Sequence, residues 1–187
     1  LSLSRWTGKQ NSRVADTSGV VGYVAAPTQG EQVSRNQLDV LILGAGPAGT
    51  AAAIGCRTLG LSVRLIEPAR FPRSAPGETL HPGVEPVLRQ LGVWHELQRA
   101  MTIRPSGYLV RCARDSRIAR YGGPARRPWR ACQLPRAALD MVLLDRARAL
   151  GAQVSQPCRP HRILLADGRV RGVMTSEGAV HARVVVD

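Results

Sequence analysis

The pattern of apolar and polar positions changes abruptly at Leu38. Residues 1–36 are polar, rich in Ser, Gly, Gln and Thr, with one short apolar patch, VVGYVAAP, and no sustained helical or strand period. They are expected to form a flexible N-terminal extension, with the domain proper at 37–187. Residues 40–56 then carry no charge, a run approaching the length of a membrane span. Gly44, Gly46, Pro47 and Gly49 break it where a membrane helix would hold continuous Leu and Ile, so the run reads as two elements. Val40–Leu43 has the pattern of a buried parallel strand, and Ala48–Leu59 that of a helix of small residues stopped by Gly60. Ser62–Glu67 reads as a second strand.

A long connection, PARFPRSAPGETLHPG, follows where a plain dinucleotide dehydrogenase would turn within a few residues into its next helix. Short helices are expected at Val84–Leu91, stopped by Gly92, and at Trp94–Ala100. Pro135 opens the clearest helix of the second half, with Leu139, Leu143, Ala147 and Leu150 on one face and Gly151 as its C-cap. Gln153–Ser155 is expected to add a third parallel strand. The tail reads as a meander of Arg162–Leu165, Arg169–Thr175 and Ala179–Asp187, with turns at Asp167-Gly168 and Glu177-Gly178. The fold class is α/β: a parallel sheet with flanking helices and an antiparallel meander.

Charge changes this picture little. The formal net charge of +13 would suit a polyanion, but the basic residues are arginines spread from Arg5 to Arg183, with Lys9 the single lysine. Such a spread favours coding bias over a nucleic-acid function. Only ARYGGPARRPWR, residues 119–130, mixes basic and aromatic residues densely, as a local anion-binding loop or a solvated one. Cys56, Cys112, Cys132 and Cys158 form no C-x-x-C pair, and the four histidines show no ligand spacing, so no metal is expected. Mostly buried, reduced thiols and the lack of a basic-then-apolar start point to the cytoplasm, without a transmembrane segment.

The chemistry lies in Gly44-Ala45-Gly46-Pro47-Ala48-Gly49, a G-x-G-x-x-G between strand and helix. Gly44 serves the tight turn, Gly46 lets the backbone approach a pyrophosphate, and Gly49 lets helix and strand pack closely. The helix N-terminus adds unpaired N–H groups and partial positive charge where phosphates would sit. Glu67 stands 23 positions after Gly44, where a carboxylate accepts hydrogen bonds from an adenosine ribose and repels a 2′-phosphate. This is a Rossmann-like dinucleotide site; the fingerprint alone does not separate FAD from NAD.

Four stretches, DVLILGAGPAGTAAA, LIEPARFPRSAPGETLHPG, LPRAALDMVLLDRARALGAQV and ARVVVD, carry a resemblance to FAD-dependent oxidoreductases with the glutathione-reductase-like FAD/NAD(P)-binding fold. The branch is that of flavin monooxygenases, tryptophan-halogenase-like proteins and geranylgeranyl reductases. The resemblance implies FAD as cofactor and places the loop Phe71–Pro82 by the flavin, with Gly77 and Glu78 matching a G-E-[ST]-L element. It implies that Arg70 or Arg73 reaches cofactor phosphates or ribose, and that Gln133 and Arg136 precede and open the helix that flanks FAD, with Arg136 among the cofactor-binding residues; for Glu78 and the arginines an ordinary surface or loop role stands beside this one. His81 sits beside the same loop, as an active-site residue or a solvated loop histidine.

In such enzymes NAD(P)H or a partner reductase reduces the flavin, which with dioxygen oxidises a small or carrier-bound organic substrate. The family's halogenases use a lysine, and Lys9 lies in the extension, which points away from halogenation. The family's later Gly-Asp motif and substrate domain would lie beyond Asp187, so residues 37–187 match the N-terminal portion of such a domain. The alternative is a truncated, catalytically silent dinucleotide-binding module.

Overall fold

A computed structural model describes residues 37–113 and 115–187, together with two short strands, β1 (Ser12–Arg13) and β2 (Tyr23–Val24), which pair antiparallel. The chain divides into the units Leu1–Asn36 and Gln37–Asp187. The expected flexibility of residues 1–36 falls otherwise outside the described residues.

In the second unit the uncharged run divides as its glycines dictate. β3 (Leu38–Leu43) leads through the glycine loop into α1 (Pro47–Thr58), and β4 (Val63–Ile66) follows. β4 pairs in parallel with β3, Val40 opposite Val63 and Leu43 opposite Ile66. β9 (Gln153–Ser155) extends the parallel sheet beyond β4, while β12 (Gly178–Val186) lies parallel to β3 on its other side. β10 (Pro160–Ala166) and β11 (Arg169–Thr175) complete the meander antiparallel, giving the order β10-β11-β12-β3-β4-β9. The expected parallel sheet, helices and meander are therefore present, with β3 extended two residues earlier and Glu67 just past the end of β4.

Two apolar clusters explain why β3 and β4 are nearly continuous runs of apolar residues. Val40, Ile42 and Leu65 pack with Ala53, Ile54, Leu139, Leu143 and Leu144 from α1 and α4 (Arg136–Ala149). Leu41 and Ile66 face the other way, against Cys158, Val173 and Ala182. Alternate side chains go to opposite faces of a strand, and both faces are covered here, so neither set is polar. Trp94 and Leu97 of α3 (Trp94–Ala100) and Leu88 of α2 (Val84–Gln90) join the first cluster.

Two small ladders were not readable from periodicity. β5 (Glu78–Leu80) pairs antiparallel with β8 (Cys132–Leu134), so the G-E-T-L loop is stitched to the residues that open α4. β6 (Gly107–Cys112) and β7 (Asp115–Arg120) form a hairpin. Three-residue strands carry too little pattern to detect, and the tight hairpin between Cys112 and Asp115 has no Asn-Gly or Asp-Gly signal.

Candidate functional site

The site is built where β3 ends. Gly44 has φ +97°, a conformation glycine adopts without strain, and its N–H donates to the Ile66 carbonyl at 2.7 Å, tying the loop to β4. Gly49 is demanded by contact: a Cβ there would collide with the Gly44 carbonyl oxygen and stand 3.2 Å from Ile42 Cγ2. Gly46 is the helix N-cap and Pro47 the first helical residue; no side chain caps the helix, and its first turn has no acidic residue. Thr50, fully buried, donates its hydroxyl to the Gly46 carbonyl at 2.8 Å and fixes the turn from inside. The orphan N–H groups at the start of α1 thus remain directed out of the loop, available to an anion.

Glu67 is buried beneath this loop. Its Oε2 accepts from the Ala45 N–H and its Oε1 from the Ala69 N–H, both at 2.9 Å. Two backbone donors leave further acceptor capacity on each oxygen. The carboxylate therefore holds the glycine loop in shape, a role that spacing did not reveal.

Two arginines come over the loop from elements far apart in sequence. Arg73 Nε donates to Asp140 Oδ2 at 3.2 Å, and its Nη1 stands 3.9 Å from Glu67 Oε1. Arg136 Nε donates to Asp140 Oδ1 at 2.8 Å, and its Nη1 to Glu78 Oε2 at 3.2 Å. The point where a Cβ of Gly46 would be is 3.5 Å from Arg136 Nη2 and 3.6 Å from Arg73 Nη2. Hydrogen bonding to Asp140, then the charges of Asp140 and Glu78, push the Arg136 guanidinium still higher in pKa, so it is a permanent cation.

Of the residues singled out by sequence, Gly44, Gly46, Pro47, Ala48, Gly49, Glu67, Arg73, Glu78 and Arg136 gather in this region. Gly77 leads into β5, where a Cβ would stand 3.4 Å from the Leu134 carbonyl oxygen. Arg70 is exposed. Gln133 lies in β8, where its backbone bonds to Thr102 and Ile103. His81 is exposed; its Nδ1 accepts from the Gly83 N–H at 3.2 Å and its ring meets Tyr121 edge-on. The loop at 121–130 is mostly exposed, with Trp129 packed against Gly122 and Gly123.

Asp140, 1% exposed, was missed. Its one legible signal was an Arg–Asp pair spaced i, i+4 at the start of α4; the second arginine is 67 residues away in sequence. The cysteines are all unpaired, with Cys132 and Cys158 buried, Cys56 half-buried and Cys112 exposed. Burial pushes the thiols of Cys56 and Cys132 up in pKa. Among the described residues no helix is long and apolar enough to cross a membrane.

Comparison with known proteins matches residues 37–186 to a family described as FAD binding domain. A digeranylgeranylglycerophospholipid reductase of Methanopyrus kandleri is 30% identical over 162 residues, covering 80% of this chain and 37% of that protein. A 1H-pyrrole-2-carbonyl-[peptidyl-carrier protein] brominase of Pseudoalteromonas luteoviolacea is 45% identical over 62 residues, covering 33% of this chain and 15% of that protein. Among solved structures, a myxobacterial FAD-dependent chondrochloren halogenase superposes with a TM-score of 0.74 at 27% identity, over 81% of this chain and 37% of its own. The chain thus spans little more than a third, at most, of the length of these relatives.

Proposed function

The chain belongs to the FAD-binding domain family, and from that premise we propose that residues 37–187 form the FAD-binding portion of a flavin-dependent oxidoreductase of monooxygenase type, preceded by an extension at 1–36. The observation that carries this reading is the convergence of Arg73 Nη2 and Arg136 Nη2 on Gly46, within 3.6 Å of the place a Cβ would fill, at an uncapped helix N-terminus. Such a cradle fits a diphosphate: backbone donors, helix dipole and two cations, with no side chain on the approach.

In this reading the backbone from Gly44 to Gly49 holds the pyrophosphate, and Arg73 and Arg136 neutralise it. Glu67 accepts from the ribose hydroxyls with the capacity left by Ala45 and Ala69, and its negative charge disfavours a 2′-phosphate. Glu78 holds the loop beside α4 through the β5–β8 ladder, with Gly77 set close against the Leu134 carbonyl. Bound FAD would supply the redox chemistry, accepting electrons from NAD(P)H or a partner reductase and oxidising an organic substrate with dioxygen. The protein's part is to bind, orient and exclude water.

Relatives described as a brominase and a chlorinase of a pyrrolyl group on a peptidyl carrier protein support a carrier-bound substrate as one option beside a free small molecule. No lysine occurs between residues 37 and 187, Lys9 being the single one in the sequence, which favours oxygenation over a lysine-dependent halogenation. Four unpaired thiols accord with a reducing cytoplasm. The reading is tested by spectroscopic titration of the purified chain with FAD and with NAD. FAD is expected to bind more tightly; tighter binding of NAD would overturn it.

A further inference from the structure

Asp140 sits at the centre of the cradle without being able to touch a phosphate itself. It is 1% exposed and negatively charged, so it gains nothing from an anionic ligand directly. Its two oxygens divide between two arginines: Oδ2 accepts from Arg73 Nε and Oδ1 from Arg136 Nε. Each guanidinium is therefore held by its Nε edge. The adjacent Nη2 of each comes close to Gly46, 3.6 Å (Arg73) and 3.5 Å (Arg136) from the place a Cβ there would fill. The remaining Nη1 groups are steadied by Glu67 at 3.9 Å and Glu78 at 3.2 Å.

We infer that Asp140 is a positioning residue that fixes Arg73 and Arg136 as a two-pronged clamp, selecting ligands that carry a phosphate or diphosphate at Gly46. The inference rests on the reading of the glycine loop as a diphosphate cradle and adds to it the residue that makes the cradle selective. Two free arginines would lose side-chain entropy on closing over a ligand, whereas a buried carboxylate holding both meets that cost on folding. The planar fork matters as well: a guanidinium gives Nε to Asp140 and a second nitrogen, Nη2, to a phosphate in one fixed geometry, whereas an ammonium presents its donors from a single nitrogen. The same Arg73 stands between Asp140, by a hydrogen bond, and Glu67, by an ion pair, so the phosphate side and the ribose side of the site share one charged frame.

The test is calorimetric titration of the full chain with ADP and with adenosine, which lacks the phosphates, on the unaltered protein and on Asp140→Asn. Asparagine keeps the volume but offers one carbonyl oxygen in place of two acceptors, so only one guanidinium is held. ADP affinity is expected to fall about tenfold or more, the scale of one charge-assisted hydrogen bond, while adenosine affinity stays within about twofold. Equal losses for both ligands, or none for either, would overturn the inference. A preference for ADP over adenosine in the unaltered chain that survives Asp140→Asn defeats the clamp alone. Absence of that preference in the unaltered chain defeats the cradle reading, and the clamp with it. Where circular dichroism shows Asp140→Asn unfolded, Arg73→Lys carries the same comparison: selective loss of ADP supports the clamp, and an unchanged ratio overturns it.

Discussion

At the scale of the residue, two glycines of one helix make opposite predictions. At Gly49 a Cβ would meet the Gly44 backbone, which cannot move without opening the loop. Gly49→Ala is expected to destabilise the protein by about 1–3 kcal/mol, with loss of FAD binding, as read from denaturant midpoints and flavin titration. At Gly55, exposed on the same helix, nothing lies within 4 Å of a Cβ. Gly55→Ala should therefore raise stability, by about 0.5–1 kcal/mol, because only backbone entropy changes. Equal effects at the two positions would show that contact with the loop is not what requires glycine at 49.

Elements are joined by side chains that complete one another's ends. Arg57, in the last turn of α1, donates Nη1 to the Leu61 carbonyl at 2.7 Å and Nε to the Leu150 carbonyl, the C-cap of α4, at 2.8 Å. It thereby ties the turn after α1 to the C-cap carbonyl of α4, two helices that pack side by side on the sheet. Gly151, at φ +88°, leaves room for it: a Cβ there would be 2.9 Å from Arg57 Nη2. Arg57→Ala is expected to cost about 2 kcal/mol in thermal or chemical unfolding, the scale of charged hydrogen bonds lost from a partly buried site. Arg57→Lys should recover only part of this, since one ammonium does not span both carbonyls with the reach of the fork.

The whole second unit is tied across its central strands by Asp39. Its carboxylate accepts from the Ser62 N–H at 2.9 Å, the Ser62 hydroxyl at 2.8 Å and Arg183 Nη1 at 3.0 Å, joining β3 to the start of β4 and to β12. The Ser62 backbone bond above all, with the Ser62 hydroxyl and Arg183, holds its pKa below the usual carboxylate value. The folded-state value is the lower one, so the stabilisation is fully present above the unfolded-state pKa of about 3.9 and is lost as pH falls through the folded-state value. Acid unfolding of Asp39→Asn should accordingly show a shallower loss of stability below about pH 4 than the unaltered chain. An identical acid slope in the two proteins would remove Asp39 from the acid-sensitive groups.

The sequence by itself determined the strand–glycine loop–helix–strand order, the acid at the close of the second strand, the helix opened by Pro135 and the closing meander. Each of these is encoded locally, in a hydrophobic period, a glycine that a turn requires, or a helix stop. The glycine motif was legible because its three glycines act on neighbours a few residues away. What only the tertiary structure decided depends on long loops and unlike elements meeting: the β5–β8 ladder, the backbone grip on Glu67, and above all Asp140 between Arg73 and Arg136. A buried aspartate near the start of an amphipathic helix gives little pattern beyond its i, i+4 spacing from Arg136. Its meaning comes from a partner 67 residues earlier in the chain, brought to 3.2 Å by the fold.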